Sequence, residues 1–323
     1  MRLERVGSRG ACFAASVALI LAACAPARRA EAPRPHPTIV SLNPCTDAIL
    51  AEVADPAQVL ALSHYSRDPA SSSMDVGLAR RFASVGDGVE EVAALRPDVV
   101  VSGTFVAPAT AQAFARLGFR QEAVPMANTV EQSEVQVRQL AALTGHPARG
   151  EALVARMRAA LAAAGPPPGS HPVSAVVWQS GGMVPGQGTL IADLLRRTGF
   201  VSLSAARGLQ QADILPLERM LADPPQVILA AGNPRAEEDR LLAHPALAAL
   251  KGTRRERLDS SLLWCGGPTV IRAAQRLGQV RRGLRDEKPL PLAGGVWGVP
   301  HLSARSAMAG PPPAPPASGR DVL

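Results

Sequence analysis

The chain has 323 residues, 47% of them hydrophobic, and a formal net charge of +7. This length and apolar fraction suffice for one large or two medium domains with a substantial core. The basic residues are scattered and no run of them carries interleaved aromatic residues, so the charge does not indicate a nucleic-acid-binding surface.

The N-terminus has the pattern of an export signal. Three arginines in MRLERVGSRG precede the apolar run ACFAASVALILAA, which is short for a membrane span. The run ends in LAAC, which resembles a bacterial lipobox, so we predict a lipoprotein signal peptide at residues 1–24 with Cys24 lipidated. The alternative is ordinary cleavage nearby, with Cys24 incidental. Residues 25–37 are predicted to be a flexible tether, and the protein a periplasmic, membrane-anchored lipoprotein.

Strand-like and helical runs alternate through the first half of the body. The predicted strands are TIVSL, QVLALSHY, DVVVSG and RQEAVP, and the predicted helices are TDAILAEVA, EEVAAL and APATAQAFARLG. Such alternation predicts a parallel sheet covered by helices, here an N-terminal α/β lobe at residues 38–146. Its last helix is predicted at 129–144, and a connecting helix follows at 147–165, where GPPPGSHP ends it.

A second alternation predicts a C-terminal α/β lobe at residues 166–285. Its predicted strands are VSAVVWQ, QVILAAG and SSLLW, and its predicted helices are GTLIADLLRRTG, PLERMLA, EEDRLLA and PTVIRAAQRLGQVRRGL. Residues 286–323 lose this periodicity and end in a Pro/Ala-rich stretch, which predicts a disordered tail.

Two segments repeat each other across the lobes. GVEEVAALRPDVVVSG and PLERMLADPPQVILAAG align without a gap, and the alignment matches Glu90 with Glu218. The apolar residues around each must face the core, which turns both carboxylates outward. Two exposed acids at equivalent places predict a docking pair for a two-fold partner. The alternative is a pair of solvated acids that the first turn of a helix favours anyway.

Five motifs in order carry a family resemblance: IVSLNPCTDAIL, LALSHYSRDP, ASVGDGVEEVAALRPDVVVSG, LPLERMLADPPQVILAAG and SSLLWCGGPTVIRAAQRL. The chain resembles the class III, helical-backbone periplasmic binding proteins of ABC importers, which carry cobalamin, ferric siderophores or haem. The resemblance implies two Rossmann-like lobes with parallel sheets joined by one long helix. It implies a monomer without catalytic residues or an intrinsic cofactor, which delivers a metal chelate to a two-fold permease with ATPase subunits. Glu90 and Glu218 match the acids that pair with permease arginines.

In open parallel sheets, ligands bind beyond the carboxyl ends of the strands. Applied to both lobes, this rule predicts ligand contacts from Asn43, Cys45, His64, Tyr65, Arg67, Gly103, Thr104, Phe105, Trp178, Gln179, Gly188, Thr189, Trp264 and Cys265. The aromatic residues among them suit a large, partly apolar ligand. Trp178 could instead be a strand-core residue, and Arg67 could pair with Asp68. Because several convergent arginines are not found, the sequence favours a cobalamin-like ligand over a ferric siderophore or haem.

Cys45 and Cys265 each follow a predicted strand, one in each lobe. They could be small buried apolar residues, a disulfide with Cα atoms within about 7 Å, or soft contacts for a metal centre. Since a bond across the lobes would hinder opening, we expect free thiols when ligand is bound. A rival of another class is a metal-dependent periplasmic enzyme using both cysteines and His64. The absence of H-E-x-x-H, G-x-S-x-G and a phosphate loop argues against an enzyme.

Overall fold

The computed structural model describes residues 35–166, 168–232 and 244–284. All of them belong to one compact unit, Met1–Glu287. The predicted signal peptide at 1–24, most of the tether, the predicted helix EEDRLLA and the tail at 286–323 lie outside the described residues. No helix within the described ranges is long and apolar enough to cross a membrane.

The first half of the chain forms a five-stranded parallel sheet with the order β3-β2-β1-β4-β5. The strands are β1 (Ile39–Ser41), β2 (Val59–Ser63), β3 (Ser84–Val85), β4 (Val99–Gly103) and β5 (Arg120–Val124). Parallel neighbours need crossover connections. Helices supply most of them: α1 (Pro44–Val53), α2 (Val76–Ala79), α3 (Val89–Leu95) and α4 (Pro108–Arg116).

The second half forms a four-stranded parallel sheet with the order β11-β10-β6-β8. The strands of this half are β6 (Val173–Gln179), β7 (Met183–Val184), β8 (Phe200–Ser202), β9 (Asp213–Ile214), β10 (Val227–Ala231) and β11 (Arg254–Arg257). Strands β7 and β9 form a separate antiparallel pair. Helices α5 (Val130–Leu143) and α6 (Pro147–Ala164) follow the first sheet in the chain. The helices of the second half are α7 (Leu190–Arg197), α8 (Leu203–Ala206), α9 (Leu217–Ala222), α10 (Pro245–Ala248) and α11 (Pro268–Gly283). The order β8-β6-β10-β11 repeats β2-β1-β4-β5 of the first sheet.

Two long helices lie between the sheets in the chain, α5 (Val130–Leu143) and α6 (Pro147–Ala164). Helix α6 packs against α1 and α5 of the first half and against α11 of the second. One hydrophobic cluster therefore runs from the first sheet through α6 to the second, and Ile39, Met157 and Leu229 are among its fully buried members. This arrangement confirms the predicted fold class of two parallel α/β lobes joined by a long helix.

Two predicted strands differ from the structure. Ser260–Leu262, within SSLLW, is a 3-10 helix, which starts where the side chain of Asp259 accepts a hydrogen bond from the backbone N–H of Ser261 at 2.9 Å. The strand of this region is the charged β11, which pairs with β10 and lies at the edge of the sheet among the described strands. Edge strands tolerate charged side chains, so β11 lacks the apolar pattern that identifies the inner strands. Similarly, β2 ends at Ser63, and a 3-10 helix follows at His64–Arg67.

Candidate functional site

Three cavities lie at the carboxyl ends of the parallel strands, between residues of the two lobes. The first, of about 480 Å³, joins the ends of β4 and β5 to Trp264 of the second lobe. The second, of about 290 Å³, shares Met126, Ala127 and Trp264 with the first. The third is open, measures about 1810 Å³ and shares Gln179 with the second. We call these three neighbouring cavities together the inter-lobe cleft, and its position agrees with the rule for open parallel sheets.

Exposed apolar side chains from both lobes line the first cavity. Phe105, just after β4, is 87% exposed, and Trp264, just before α11, is 38% exposed. Met126, from the loop after β5, is also 38% exposed. Apolar side chains that stay exposed within a concave surface mark a place where an apolar partner can bind.

Polar residues at the ends of β1 and β4 complete the first-lobe side of this cavity. Asn43 precedes α1, and its side-chain oxygen accepts a hydrogen bond from the backbone N–H of Cys45 at 2.8 Å, which caps the helix. Gly103 and Thr104 line the same cavity from the end of β4. The first cavity therefore brings together Asn43, Cys45, Gly103, Thr104, Phe105 and Trp264 of the predicted contacts.

His64, Tyr65 and Arg67 are exposed on the 3-10 helix after β2 and line none of the three cavities above. The rings of His64 and Tyr65 have centroids 4.0 Å apart. Tyr65 Oη donates to Asp87 Oδ2 at 3.3 Å, and the negative charge of Asp87 raises the pKa of the Tyr65 phenol. Arg67 donates to the carbonyl oxygen of Phe82 at 2.6 Å. These side chains lie beside the strand ends, as predicted, but contact other parts of the first lobe.

A fully buried carboxyl group, Asp47 of α1, holds this 3-10 helix in place. Its Oδ2 accepts hydrogen bonds from Ser66 Oγ at 2.6 Å and from the backbone N–H of Ser63 at 3.0 Å. Burial raises the pKa of Asp47 to about 8, although the hydrogen bonds oppose this shift. Asp47 was not among the predicted site residues. The sequence pattern that could have identified it is an acidic residue on the apolar face of a short helix.

Trp178 does not face the cleft. Its side chain is fully buried in a cluster with Val184, Leu215 and Met220 on the outer face of the second sheet. Alternate residues of a strand point to opposite faces, so Trp178 and Gln179 cannot both reach the cleft. The prediction that Trp178 contacts ligand is corrected accordingly, and its interpretation as a strand-core residue is the one that fits.

Gln179 is the residue of β6 that borders the cleft, where it lines the second and third cavities. It is only 6% exposed, and its Nε2 atom has no hydrogen-bond partner within the described part of the chain. Most buried polar groups in proteins are hydrogen-bonded. The Nε2 atom is itself inaccessible, so this unsatisfied donor lies within the cleft wall.

Thr189 lies at the start of α7 and lines the second cavity. Its hydroxyl donates to the carbonyl oxygen of Gly186 at 2.9 Å and accepts from the backbone N–H of Ala192 at 3.3 Å, so it caps the helix. Gly186 packs directly against the backbone of Leu209, which leaves no space for a Cβ atom. Gly188 is exposed beside this turn. The Gly-rich turn thus shapes the cleft wall, while the Thr189 hydroxyl is occupied.

Cys45 and Cys265 form a disulfide with an S–S distance of 2.02 Å and a Cα–Cα distance of 4.9 Å. It joins the first turn of α1 to the segment before α11 and so crosses from one lobe to the other. The expectation of free thiols is therefore wrong, because both sulfur atoms are bonded to each other. For the same reason the cysteines cannot serve, with His64, the metal-dependent enzyme considered above. Within the described ranges, no three His, Cys, Asp or Glu side chains are grouped to hold a metal ion.

Hydrogen bonds near the disulfide also join the lobes. The backbone N–H of Gly267 donates to Ser133 Oγ at 2.7 Å, and Thr269 Oγ1 donates to the carbonyl oxygen of Ser73 at 3.0 Å. Gly267 has a φ of 61° and lies against Ile49, so a side chain here would be strained and crowded. The lobes are therefore fixed to each other where α11 begins.

Glu90 and Glu218 occupy the first turns of α3 and α9 and are both exposed. Val92 and Met220 anchor these helices to the outer faces of the two sheets and are fully buried. Glu91 has a local role, because its Oε2 accepts a hydrogen bond from the backbone N–H of Gly86 at 2.8 Å. The matched placement of the two acids follows from the repeated order of strands.

Several residues that line the cleft were not among the predicted contacts. Met126 and Ala127 follow β5, and Arg257 ends β11, so the strand-end rule would reach all three. Arg257 was missed because β11 was not recognised as a strand. Arg276 lines the third cavity from α11, and no local pattern in the sequence indicates that.

Residues 39–259 match the model of a family described as periplasmic binding protein. None of the curated protein sequences matches the chain. Among solved structures, a periplasmic heme-binding protein from Pseudomonas aeruginosa is similar, with a TM-score of 0.62 and 23% identity over 79% of this chain and 95% of that one. The periplasmic heme-binding protein RhuT from Roseiflexus sp. RS-1 is also similar, with a TM-score of 0.60 and 19% identity over 78% of this chain and 98% of that one.

The periplasmic vitamin B12 binding protein BtuF of Vibrio cholerae has a TM-score of 0.60 and 18% identity over 77% of this chain and 98% of that one. At these identities the structural similarity bears on the fold, and it agrees with the two lobes and the long helix described above. The family match covers well over half of the chain. The chain belongs to the periplasmic binding protein family, whose members bind substrates and are not enzymes.

Proposed function

We propose that the protein is the substrate-binding component of an ABC importer, which captures a metal chelate in the inter-lobe cleft and delivers it to a two-fold permease with ATPase subunits. The observation that carries this proposal is the pair of exposed aromatic side chains, Phe105 and Trp264, that approach one cavity from opposite lobes. Flat aromatic faces suit a large ring, and burying them on binding supplies affinity. The protein acts as a monomer.

The ligand is a metal chelate of the cobalamin, haem or ferric-siderophore type. Two of the similar structures above are named for heme and one for vitamin B12. The sequence favoured a cobalamin-like ligand because it offered no convergent arginines. In the structure, however, Arg257 and Arg276 both line the third cavity. The lack of convergent arginines in the sequence is therefore no longer a reason to favour cobalamin. The proposal therefore covers all three ligand types.

Glu90 and Glu218 dock the protein on the permease. Both are exposed, and both stand on a short helix that precedes an equivalent strand of its sheet. Opposite charges on two permease subunits would attract both acids at once, which favours correct orientation on a two-fold partner.

Lipidated Cys24 anchors the protein to a membrane on the periplasmic side. This proposal rests on the LAAC sequence after the apolar run. Residues 25–37 then act as a tether, which lets the lobes reach the permease while the anchor holds them near it.

Native mass spectrometry tests the proposed function. The mature chain without its anchor is offered cyanocobalamin, haemin and ferrichrome together, and we expect a one-to-one complex with at least one of them. Thr104 is exposed and lines the first cavity, so Thr104→Trp should fill that cavity and reduce the complex. Gln112→Trp, at an exposed position of α4, is the matched control. Binding of none of the three chelates would contradict the proposal.

A further inference from the structure

The segment between the 3-10 helix Ser260–Leu262 and α11 carries an exposed aromatic side chain into the first cavity. Leu263 is buried in the core, whereas Trp264, the next residue, is exposed and lines the first cavity. Cys265 follows directly and forms the disulfide with Cys45 of the first lobe. Trp264 is therefore one residue away from the covalent bond between the lobes.

The other restraints on this segment are weaker than the disulfide. Gly266 packs against Ser133 of α5, and the backbone N–H of Gly267 donates to the Ser133 hydroxyl at 2.7 Å. Glycine adopts more backbone conformations than any other residue, so two glycines in succession let a segment move once its covalent restraint is lost. A single hydrogen bond contributes little net stability against such freedom. The disulfide is thus the strongest restraint that holds the indole of Trp264 at the first cavity.

A reductant can reach this disulfide from the cleft. Cys45 is half-buried and lines the first cavity, whereas Cys265 is only 5% exposed. Thiol–disulfide exchange begins when a thiolate attacks a sulfur atom that it can approach. A dithiol that enters the first cavity would therefore attack the sulfur of Cys45, and Cys265 would leave as a thiolate.

The exchange is complete when the second thiol of the reductant displaces Cys45. The two cysteines then carry thiols, and the dithiol has become a disulfide. Two electrons and two protons pass from the dithiol to the protein. No other reactant is needed.

We infer that the Cys45–Cys265 disulfide positions Trp264 for ligand binding, and that the affinity for the chelate therefore depends on the redox state of this bond. The oxidised protein binds the chelate tightly. Reduction by a dithiol releases Trp264 from the first cavity and lowers the affinity. This inference rests on the proposed function and adds regulation of the same site to it. Cys265 is a positioning residue, because it acts on the ligand through Trp264.

The test measures dissociation constants of the mature chain without its anchor. Cyanocobalamin, haemin and ferrichrome are offered to the oxidised protein, and the probe that binds most tightly is used throughout. The protein is then reduced with dithiothreitol in native buffer. The reagent is removed without access of oxygen before binding is measured, because thiolates themselves bind metals.

We expect two thiols per chain after reduction and an affinity about fivefold lower. This factor is the loss expected when one apolar contact, that of Trp264, no longer forms. Re-oxidation of the same sample should restore the original affinity.

Trp264→Ala separates positioning of the indole from general stabilisation. If the disulfide acts through Trp264, loss of the bond and loss of the side chain are not additive. Reduction should therefore change the affinity of Trp264→Ala less than about twofold, although the same bond is broken.

Leu161→Ala is the matched control for lower stability. It truncates a buried side chain of α6 that lines none of the three cavities, and it keeps the disulfide. Its thermal midpoint should fall, while its affinity should stay within about twofold of that of the parent.

Four outcomes overturn the inference. They are a disulfide that dithiothreitol opens only in denaturant, an unchanged affinity of the reduced parent, equal weakening of the parent and of Trp264→Ala by reduction, or an equal loss of affinity in Leu161→Ala. Unfolding of both reduced proteins counts as equal weakening. Each of these outcomes leaves the proposed function standing, because the oxidised parent still binds a chelate. If the oxidised parent binds none of the three probes, the proposed function fails, and the inference fails with it.

Discussion

Cys45 in the first lobe and Cys265 in the second are joined by a disulfide, although 220 positions separate them in the chain. A cross-link that closes so long a loop restricts the unfolded chain strongly. Replacement of both cysteines by serine should therefore lower the free energy of unfolding by about 2–5 kcal/mol, measured by denaturant titration.

Thiol counting on denatured, never-reduced protein checks the bond itself. The mature, anchor-free chain should show no reactive thiol, and reduction should reveal two. Two thiols without reduction would contradict the structure.

The disulfide lies beside the first cavity, which Cys45 lines, so ligand exchange must occur while the lobes are linked at this point. The long helix α6 also limits hinge bending, and we expect only a small lobe movement.

Asp47 should make stability depend on pH. The folded protein keeps the Asp47 proton up to about pH 8, whereas the unfolded chain loses it near pH 3.8. The folded state therefore binds more protons between these values, and the free energy of unfolding should fall as the pH rises through this window. The contribution of one such group is at most about 1.4 kcal/mol per pH unit.

The variant Asp47→Asn keeps an acceptor oxygen for Ser63 and Ser66 but cannot ionise. The free energy of unfolding of this variant, relative to that of the parent, should increase from pH 5 to pH 8. Urea unfolding at each pH measures both values. Asp55→Asn is the control, because Asp55 is hydrogen-bonded by Arg149 and its pKa is lowered, so it stays ionised throughout this range. A difference between parent and Asp47→Asn that is constant with pH would contradict this assignment.

Charge reversal of Glu90 or Glu218 should impair transport without affecting ligand affinity. Both acids are exposed and line none of the three cavities of the cleft, so each change should act on permease docking alone. Uptake in cells and the dissociation constant of the purified protein are measured together. Glu91→Arg, which makes the same charge change one residue away, should preserve most of the uptake. A loss of ligand affinity in Glu218→Arg would assign that residue to the cleft instead.

Replacement of Cys24 by serine should release the protein from membranes or block its maturation. The sulfur of Cys24 is the atom that a lipoprotein signal supplies for acylation. Detergent partitioning of cell extracts measures the effect. A Cys12→Ser variant, changed within the predicted signal peptide, should partition as the parent does. Unchanged partitioning of Cys24→Ser would remove the proposed anchor.

The inner strands and the longest helix were predictable because their sequences carry clear patterns. β6 has the predicted bounds, because a buried parallel strand is a continuous apolar run. α6 begins at the predicted Pro147 and ends at Ala164, one residue before the predicted end, with Gly165 as its C-cap. β11 was not predictable, because its charged residues show no apolar alternation at the sheet edge.

The strand-end rule placed Phe105 and Gln179 beside the cavities that they line in the structure. Trp264 lines them too, although the strand predicted before it is a 3-10 helix. The rule could not decide between Trp178 and Gln179, because which face of β6 borders the cleft depends on packing against other elements. The partner of Cys45 was open for the same reason, since a bond across 220 positions depends on how the two lobes meet.

The central claim, that the inter-lobe cleft captures a metal chelate, is tested most directly by the affinity of a variant that lacks both exposed aromatic residues. Phe105→Ala combined with Trp264→Ala should weaken the tightest-bound chelate at least about tenfold, because each lost apolar contact costs on the order of 1 kcal/mol. Leu117→Ala combined with Val201→Ala removes exposed apolar residues that line none of the three cavities and should leave affinity unchanged. Equal affinity of the parent and the aromatic double variant would contradict the account.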